Sequence, residues 1–534
     1  MKNAYTPEEP IAAIATALAP SALAVIRVSG KNCIQLVSSV FSRPEALLKA
    51  PGYTLVHGWI VEPDGSGAHV AQVSGSTTFA GVAIGEAAQV APDTPRTPTS
   101  EAAPHARNRI DEVMLGVYRA PKSFTGEDMV EIFCHGGTAP VLAIHKLLLK
   151  IGFRSAERGE FSFRAYINGK TDLTRAEAIK EIIDSRTDES RSRAAGRLAG
   201  NLAQELDRIK QLLIRTAASI EAEIEYPEDE ETIADAYDSS ELEEARQSLK
   251  RLSDTWAGEK LYQDGARVVL CGRTNAGKSS LFNTLLKEER AIVSDIEGTT
   301  RDWIESWVSF GGIPARLFDT AGLRQSSDVI EQSGVERSHE LAEDADIVLY
   351  LVDASEGFTP DDCANVELLH QKSQKKVILV WNKCDTCVTL HKEDNYSESS
   401  ETSDVIYTKP DGTLQLPAGA ETLPAWLKEC NQVSISARTG LGIANLVEAV
   451  HSALAGQTET ARQQAGLGSE RQKAAVDDAL DSVTHALSAT DEQLGLDAVV
   501  QDIEDALASL SFITGETSPD DILGNIFSRF CVGK

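Results

Sequence analysis

No apolar run in the chain approaches the ~18 to 20 residues needed to cross a bilayer, which excludes a membrane-spanning helix from its expected elements. The basic flank of a signal peptide is also missing: Met1 to Pro10 is acidic and proline-interrupted, so the apolar Ile11 to Leu18 does not read as a secretory leader. Framework cysteines are absent too. Eight cysteines lie scattered over 534 residues, as in a reducing compartment, and the one C-x-x-C pair, Cys384 to Cys387, supplies only half of a tetrahedral zinc site. Positive charge is scarce: 51 Lys and Arg against 81 Asp and Glu leave a formal net charge of -30, which excludes phosphate binding by the surface as a whole. An RNA substrate then needs a local patch or a second protein to hold it. The expectation is a cytoplasmic protein of several soluble domains with no membrane association.

A hydrophobic share of 42% and a charged share of 25% are ordinary for globular domains, and this length suggests three or four units at ~150 residues each. Leu23 to Gly30 reads as a strand, Ile34 to Phe41 as a short helix, Ile110 to Tyr118 as a strand and Ala139 to Lys150 as a helix. These predict an N-terminal α+β domain over 1–168. From about Glu62 to Asn108 the composition turns to Gly, Ser, Ala, Thr and Pro, which cannot bury enough apolar surface to fold, so 62–108 reads as a mobile insertion. Leu198, Leu202, Leu206, Ile209, Leu213, Ile220 and Ile224 recur at helical spacing. So do Val476, Leu480, Val483 and Leu487, then Leu496, Val500, Ile503, Leu507 and Leu510. Each stripe alone would face water. The economical arrangement is one discontinuous helical domain, 169–261 with 458–534, interrupted by a unit at 262–457; two independent helical domains are the alternative. Within 262–457, apolar runs at 267–271, 315–318, 347–352, 376–381 and 432–436 alternate with helical stretches, predicting a mainly parallel sheet. The polar, acidic run inside 388–424 reads as a second mobile insertion.

The chemistry is concentrated in that inserted unit. Val268 to Leu270 enters Gly272-Arg273-Thr274-Asn275-Ala276-Gly277-Lys278-Ser279, a G-x-x-x-x-G-K-S loop followed by Ser280 and a helical run. Such a loop points backbone N–H groups at a phosphate chain, Lys278 reaches the β- and γ-phosphates, and the Ser279 hydroxyl suits Mg2+. Further signals follow in order. Asp295-Ile296-Glu297-Gly298-Thr299-Thr300 supplies hydroxyls that could close over Mg2+ and the γ-phosphate, with Thr300 as the metal-facing one. Asp319-Thr320-Ala321-Gly322 offers a carboxylate to hold Mg2+ through water and a backbone N–H for the γ-phosphate. Asn382-Lys383-Cys384-Asp385 places a carboxylate where it can accept the N1 and N2 protons of guanine, and Ser436-Ala437-Arg438 is similar to the loop that touches guanine O6. Together these motifs resemble the GTPase superfamily, with GTP as the nucleotide. A glutamine that orients the attacking water in Ras-like enzymes is replaced by Leu323, which cannot hydrogen-bond water.

Ser123 to Gly137, Gly159 to Lys170, this GTPase unit and the ending Phe530-Cys531-Val532-Gly533-Lys534 together resemble the MnmE (TrmE) family of tRNA-modification GTPases over nearly the whole length. The resemblance implies a folate-binding N-terminal domain that forms a homodimer, a helical domain split by the G domain, and a heterotetramer with the FAD-dependent partner MnmG. FAD would reside on that partner, which would also hold much of the tRNA. The implied reaction installs an aminomethyl or carboxymethylaminomethyl group at C5 of the wobble uridine, using 5,10-methylene- or 5-formyl-tetrahydrofolate. Arg27, Glu131, Lys170 and Lys534 are the implied folate-facing residues, and Cys531 an implied nucleophile or proton donor beside the one-carbon unit. K+ is implied at Asn275, Ser294, Ile296 and Thr299, and Glu331 is implied to position the attacking water. Two stretches depart from the family pattern: Ala17 to Ala24 replaces a Gly-rich segment, and Thr274 replaces a proline of the phosphate loop.

A ribosome-assembly or RNA-chaperone GTPase switch shares the nucleotide signals, but this chain has no basic C-terminal RNA-binding module. A signalling switch without a substrate leaves the folate-type segments unexplained.

Overall fold

The computed structural model describes residues 9–62, 109–225, 239–288, 304–319, 344–373, 376–386, 423, 427, 431–455, 465–492 and 495–533. Both expected insertions lie almost wholly outside these residues. The described chain forms two compact units, residues 1–171 with 519–534, and residues 172–518.

In the first unit, period-2 alternation builds one six-stranded sheet. Its strands are β1 (Ile11–Ile14), β2 (Ser21–Ser29), β3 (Thr54–Val61), β4 (Arg109–Tyr118), β5 (Met129–Gly136) and β6 (Arg154–Ser155), in the order β3-β4-β5-β2-β1-β6. All neighbours are antiparallel except β1 and β6. Ala24, Ile26, Val28, Val113, Leu115, Val117, Val130, Ile132 and Cys134 point to one face and are buried with Ile34 of α1 (Cys33–Ser38), Leu47 of α2 (Pro44–Lys49) and Ile144 of α3 (Thr138–Lys150). The opposite face carries Leu55, Gly116, Glu131 and Arg27, which lie in line across four strands by register.

The C-terminal segment, expected with the helical domain, packs instead within this first unit. Phe527, on the helix Asp520–Ser528, meets Phe163 and Tyr166 of α4 (Glu160–Ile167), with ring centroids 5.4 and 6.1 Å apart. Val532 then makes a backbone bridge with Arg158. The physical reason is aromatic: Phe527 and Phe530 are fully buried, and the aromatic partners that cover Phe527 lie on α4.

In the second unit, α5 (Leu173–Asp184) and α6 (Asp188–Ala199) precede α7 (Asn201–Glu225) and α8 (Ser240–Asp264), and these last two join the returning helices Glu470–Asp491 and Leu496–Thr514 in one apolar core. Leu206 and Ile209 from the first half and Val476 and Ile503 from the second are all fully buried. The stripe is shorter than its sequence spacing suggests. Leu198 is 38% exposed, because α6 is capped at Gly200 and a new helix starts at Asn201, and Ile224, in the last turn of that new helix, is 39% exposed. Ala475, Ala479, Ala486 and Ala489 complete the buried face where the larger residues Leu480 and Leu487 lie partly outside it.

The inserted part of this unit has strands β7 (Ala266–Gly272), β8 (Ile304–Phe310), β9 (Ile313–Asp319), β10 (Ile347–Asp353), β11 (Lys376–Asn382) and β12 (Asn431–Ser434), in the order β12-β11-β10-β7-β9-β8. Every pair is parallel except the β8–β9 hairpin. Thus the architecture is the expected one, an α+β domain, an all-α domain and a Ras-like α/β unit with a mainly parallel sheet; β8 is the strand that the apolar runs did not reveal. Its sequence, Ile-Glu-Ser-Trp-Val-Ser-Phe, alternates as a half-exposed edge strand does.

Four charged side chains sit where the chain passes between the helical and inserted parts. Glu259 of α8 accepts from Arg193 Nη1 and Arg197 Nη1 at 2.7 Å each, and Arg197 Nη2 lies 2.6 Å from Glu181 Oε2. The returning chain runs against this cluster so closely that a Cβ at Gly468 would fall 2.3 Å from Glu181 Oε1. That oxygen finds no hydrogen-bond donor among the described residues. Burial, opposed by Arg197 and reinforced by Glu177 and Glu259, pushes the Glu181 carboxyl up to about 7. A carboxyl raised in the folded state contributes stability that is present below its unfolded value and lost as pH rises through 7. Glu181→Gln is therefore expected to gain stability relative to the parent chain between about pH 4.5 and pH 7, by up to ~3 kcal/mol, in calorimetric melts across that range.

Candidate nucleotide and folate sites

The groups expected to meet a nucleotide gather at the C-terminal ends of parallel strands, where open α/β sheets bind ligands. Gly272 ends β7, Asp319 ends β9, Asp353 ends β10 and Asn382 ends β11. Between β7 and α9 (Lys278–Glu288) the loop turns through positive φ at Gly272 (133°), Asn275 (66°) and Gly277 (94°). Asparagine tolerates this region better than most side chains. Lys278 Nζ folds over the loop and donates to the carbonyls of Gly272 and Arg273, both at 2.8 Å. Ser279 Oγ donates to Asp319 Oδ2 at 2.8 Å. A hydroxyl and a carboxylate this close form the kind of oxygen pair that suits a hard divalent cation. Ser280 is exposed in the first turn of the same helix. Burial pushes the Cys271 thiol up to about 12, so it packs rather than reacts.

The loops expected to meet the base are tied to the loop expected to meet the phosphates by one side chain. Asn382, 2% exposed, donates Nδ2 to Ala276 O at 2.8 Å and accepts from Ala437 N at 3.0 Å. A Cβ at Gly277 would lie 2.1 Å from that Nδ2, so only glycine allows the approach. Lys383, with φ 64°, donates to Asp353 Oδ2 at 2.6 Å. Burial opposes ionisation of Asp353, but bonds from Lys383 and Ser355 outweigh it and hold the carboxyl below its ordinary value. Asp385 follows in the turn Cys384–Thr386. Ser436 is fully buried and accepts from Thr439 N, while Arg438 next to it is exposed. Thr284 of α9 donates to Ala437 O at 2.7 Å, so the helix that starts at the phosphate loop also braces the base loop.

Sequence reasoning missed Asp353 and Thr284. Asp353 had a signal, since it ends an apolar strand as Asp319 and Asn382 do; Thr284 had none. Ser294, Asp295, Ile296, Glu297, Gly298, Thr299, Thr300, Thr320, Ala321, Gly322, Leu323, Glu331 and Lys534 lie outside the described residues.

On the face of the N-terminal sheet opposite its main core, Arg27 and Glu131 are cross-strand partners of β2 and β5. Glu131 Oε1 accepts from Arg27 Nε at 3.0 Å and Nη2 at 2.7 Å. Arg27 Nη1 donates to Gly533 O at 3.1 Å, which brings the C-terminal tail to the pair. The guanidinium also lies 5.5 Å from the Phe124 ring centroid and 5.8 Å from that of Phe161. Lys170 Nζ donates to Pro121 O at 3.1 Å, and Cys531 is exposed on the tail. A paired carboxylate and guanidinium beside aromatic rings suit a flat, donor-bearing heterocycle with an anionic tail, and these residue types therefore fit a folate.

Two family descriptions match the chain: "MnmE helical domain" over residues 173–531 and "GTP-binding protein TrmE N-terminus" over residues 60–170. The tRNA modification GTPase MnmE of Treponema denticola is 43% identical over 532 residues, covering 99% of this chain and 99% of that protein. Its namesake in Treponema pallidum is 38% identical over 546 residues, covering 99% of each chain, and that of Borrelia recurrentis is 33% identical over 535 residues, covering 100% of each.

Replacing Asn382 removes both bonds that join the phosphate and base loops. Asn382→Ala is expected to lower affinity for a fluorescent guanine nucleotide by ~30- to 100-fold, about 2 to 3 kcal/mol, in an equilibrium titration.

Proposed function

Since the chain belongs to the MnmE family of tRNA modification GTPases, we propose that it is a K+-stimulated, Mg2+-dependent GTPase that takes part in modifying the wobble uridine of tRNA. With a FAD-dependent MnmG partner and a one-carbon folate, it installs an aminomethyl or carboxymethylaminomethyl group at C5 of that base. The observation that carries the nucleotide reading is the Asn382 amide, which holds the phosphate loop and the base loop at one sheet edge.

In this reading Lys278 holds the β- and γ-phosphates, and Gly277 and Ser280 belong to the loop and helix start around them. Ser279, Thr300 and Asp319, the last through water, hold Mg2+, which supplies charge neutralisation at the transferring phosphate. Asp385 accepts two guanine protons, and Ser436, Ala437 and Arg438 border the base. Asn275, Ser294, Ile296 and Thr299 hold K+ where other GTPases receive an arginine. Leu323 cannot orient water, so Glu331 takes that task.

Arg27, Glu131, Lys170 and Lys534 face the folate, and Cys531 stands beside its one-carbon unit. The pairing of Arg27 with both Glu131 and the Gly533 carbonyl supports a site that includes the C-terminal tail. Leu23, Tyr53 and Leu55, 63%, 67% and 62% exposed around the same face, support a homodimer through it. No helix among the described residues is long and apolar enough to cross a membrane, and a cytoplasmic location suits a tRNA substrate.

Mass spectrometry of wobble nucleosides is expected to show the C5 modification lost in a deletion strain and restored by this chain but not by Lys278→Ala. Unchanged nucleosides in the deletion strain favour a ribosome-assembly or RNA-chaperone switch instead. Glu331→Ala is expected to lower kcat for GTP by ~10^2-fold with nucleotide affinity unchanged, and the parent chain to hydrolyse faster in K+ than in Na+. Equal rates in the two salts contradict the K+ role.

A further inference from the structure

The carboxylate of Glu131 is held from two sides. Oε1 is occupied by the Arg27 fork, whereas Oε2 accepts only from the Tyr118 hydroxyl, at 3.2 Å, among the hydrogen bonds described for it. A carboxylate oxygen has room for a second donor, so Oε2 is the atom with acceptor capacity left for a ligand. Tyr118 stands two residues from Gly116 on β4, and Gly116 is the register partner of Glu131. A Cβ built at Gly116 would lie 3.5 Å from Tyr118 Cε2 and 3.6 Å from its hydroxyl oxygen, so the ring lies back over the bare glycine to reach the neighbouring strand. Tyr53 packs edge-on against that ring, with centroids 5.7 Å apart and planes at 85°. Burial, with Glu131 adding to it, raises the Tyr118 hydroxyl above its ordinary value, so it remains a donor.

We propose that Tyr118 is a positioning residue of the folate site, aiming Glu131 Oε2 at the N–H donor edge of the pterin through a ring seated on Gly116. The inference rests on the folate reading of Arg27 and Glu131. Tyr118 acts through Glu131, and the Arg27 fork supplies the complementary restraint on Oε1. Together they leave the carboxylate little freedom about its last torsion, so that less ordering remains to be done when a ligand arrives.

Titration of the full chain with 5-formyltetrahydrofolate tests this. Tyr118→Phe keeps the ring and its contact with Tyr53, and is expected to weaken binding about tenfold without moving the thermal midpoint. Glu131→Gln is expected to weaken binding further, and Tyr118→Phe added to it to change nothing more, because the hydroxyl acts only through that carboxylate. Parent-like affinity in Tyr118→Phe, with binding weakened in Glu131→Gln, overturns the role of Tyr118 and leaves the folate reading standing. Additive losses in the double variant overturn action through Glu131. Undiminished affinity in Glu131→Gln overturns the folate reading itself.

Discussion

The nucleotide site depends on one buried amide. Asn382 uses its Nδ2 on the phosphate loop and its Oδ1 on the loop after β12, with less than a tenth of its surface exposed. In so dry a setting each bond is strong and each lost partner expensive, about 1 to 3 kcal/mol per orphaned group. The side chain therefore acts as a fixed spacer between two loops that arise more than a hundred residues apart. Gly277 yields the space for it, and Thr284 adds a third tie from α9 to the same base loop. Because the loops cannot shift independently, the groups proposed to meet the phosphates and the base are arranged before any nucleotide arrives.

The helical part brings a different kind of constraint. Its apolar stripes form one core, and where the chain passes between the helical and inserted parts buried ions stand beside the apolar Leu261 and Leu467. Arg193, Arg197 and Glu259 satisfy one another at short range, and the glycines at 466 and 468 let the returning chain pass. Trp307 of β8 meets both the Arg186 and the Arg316 guanidinium groups, 4.1 and 4.9 Å from its ring centroid. Trp307 also touches the place where Gly265 would carry a side chain. The β8–β9 hairpin thus rests on the helical part at one end and delivers Asp319 to the nucleotide site at the other.

The N-terminal unit solves a separate problem. Its sheet buries one face under helices, and on the other Ile11 and Ala13 are covered by Phe161 while Arg27 and Glu131 stay partly exposed, so these charges must be restrained by specific partners. Arg27 does this with three kinds of partner at once: a carboxylate on the next strand, a backbone carbonyl at the C-terminus and two aromatic rings. The tail that reaches Arg27 is itself anchored by Phe527 and Phe530, which explains why the end of the chain packs with its beginning.

Local periodicity and spacing are properties of short stretches. For that reason the strand ending at Gly272, the apolar run before Asp319 and the stripe from Leu202 to Leu213 were legible without coordinates. The half-exposed β8 was not, nor was the break at Gly200, because edge strands carry weak patterns and spacing does not reveal where one helix axis gives way to another. By itself the sequence determined the fold class and which residue types stand at the ends of which strands. Only the tertiary structure decided that Asn382 spans two loops, that Tyr118 reaches across Gly116 to Glu131, and that Gly533 lies against Arg27 from 506 residues away. Those contacts depend on strand register and on packing between distant segments, which no local pattern encodes.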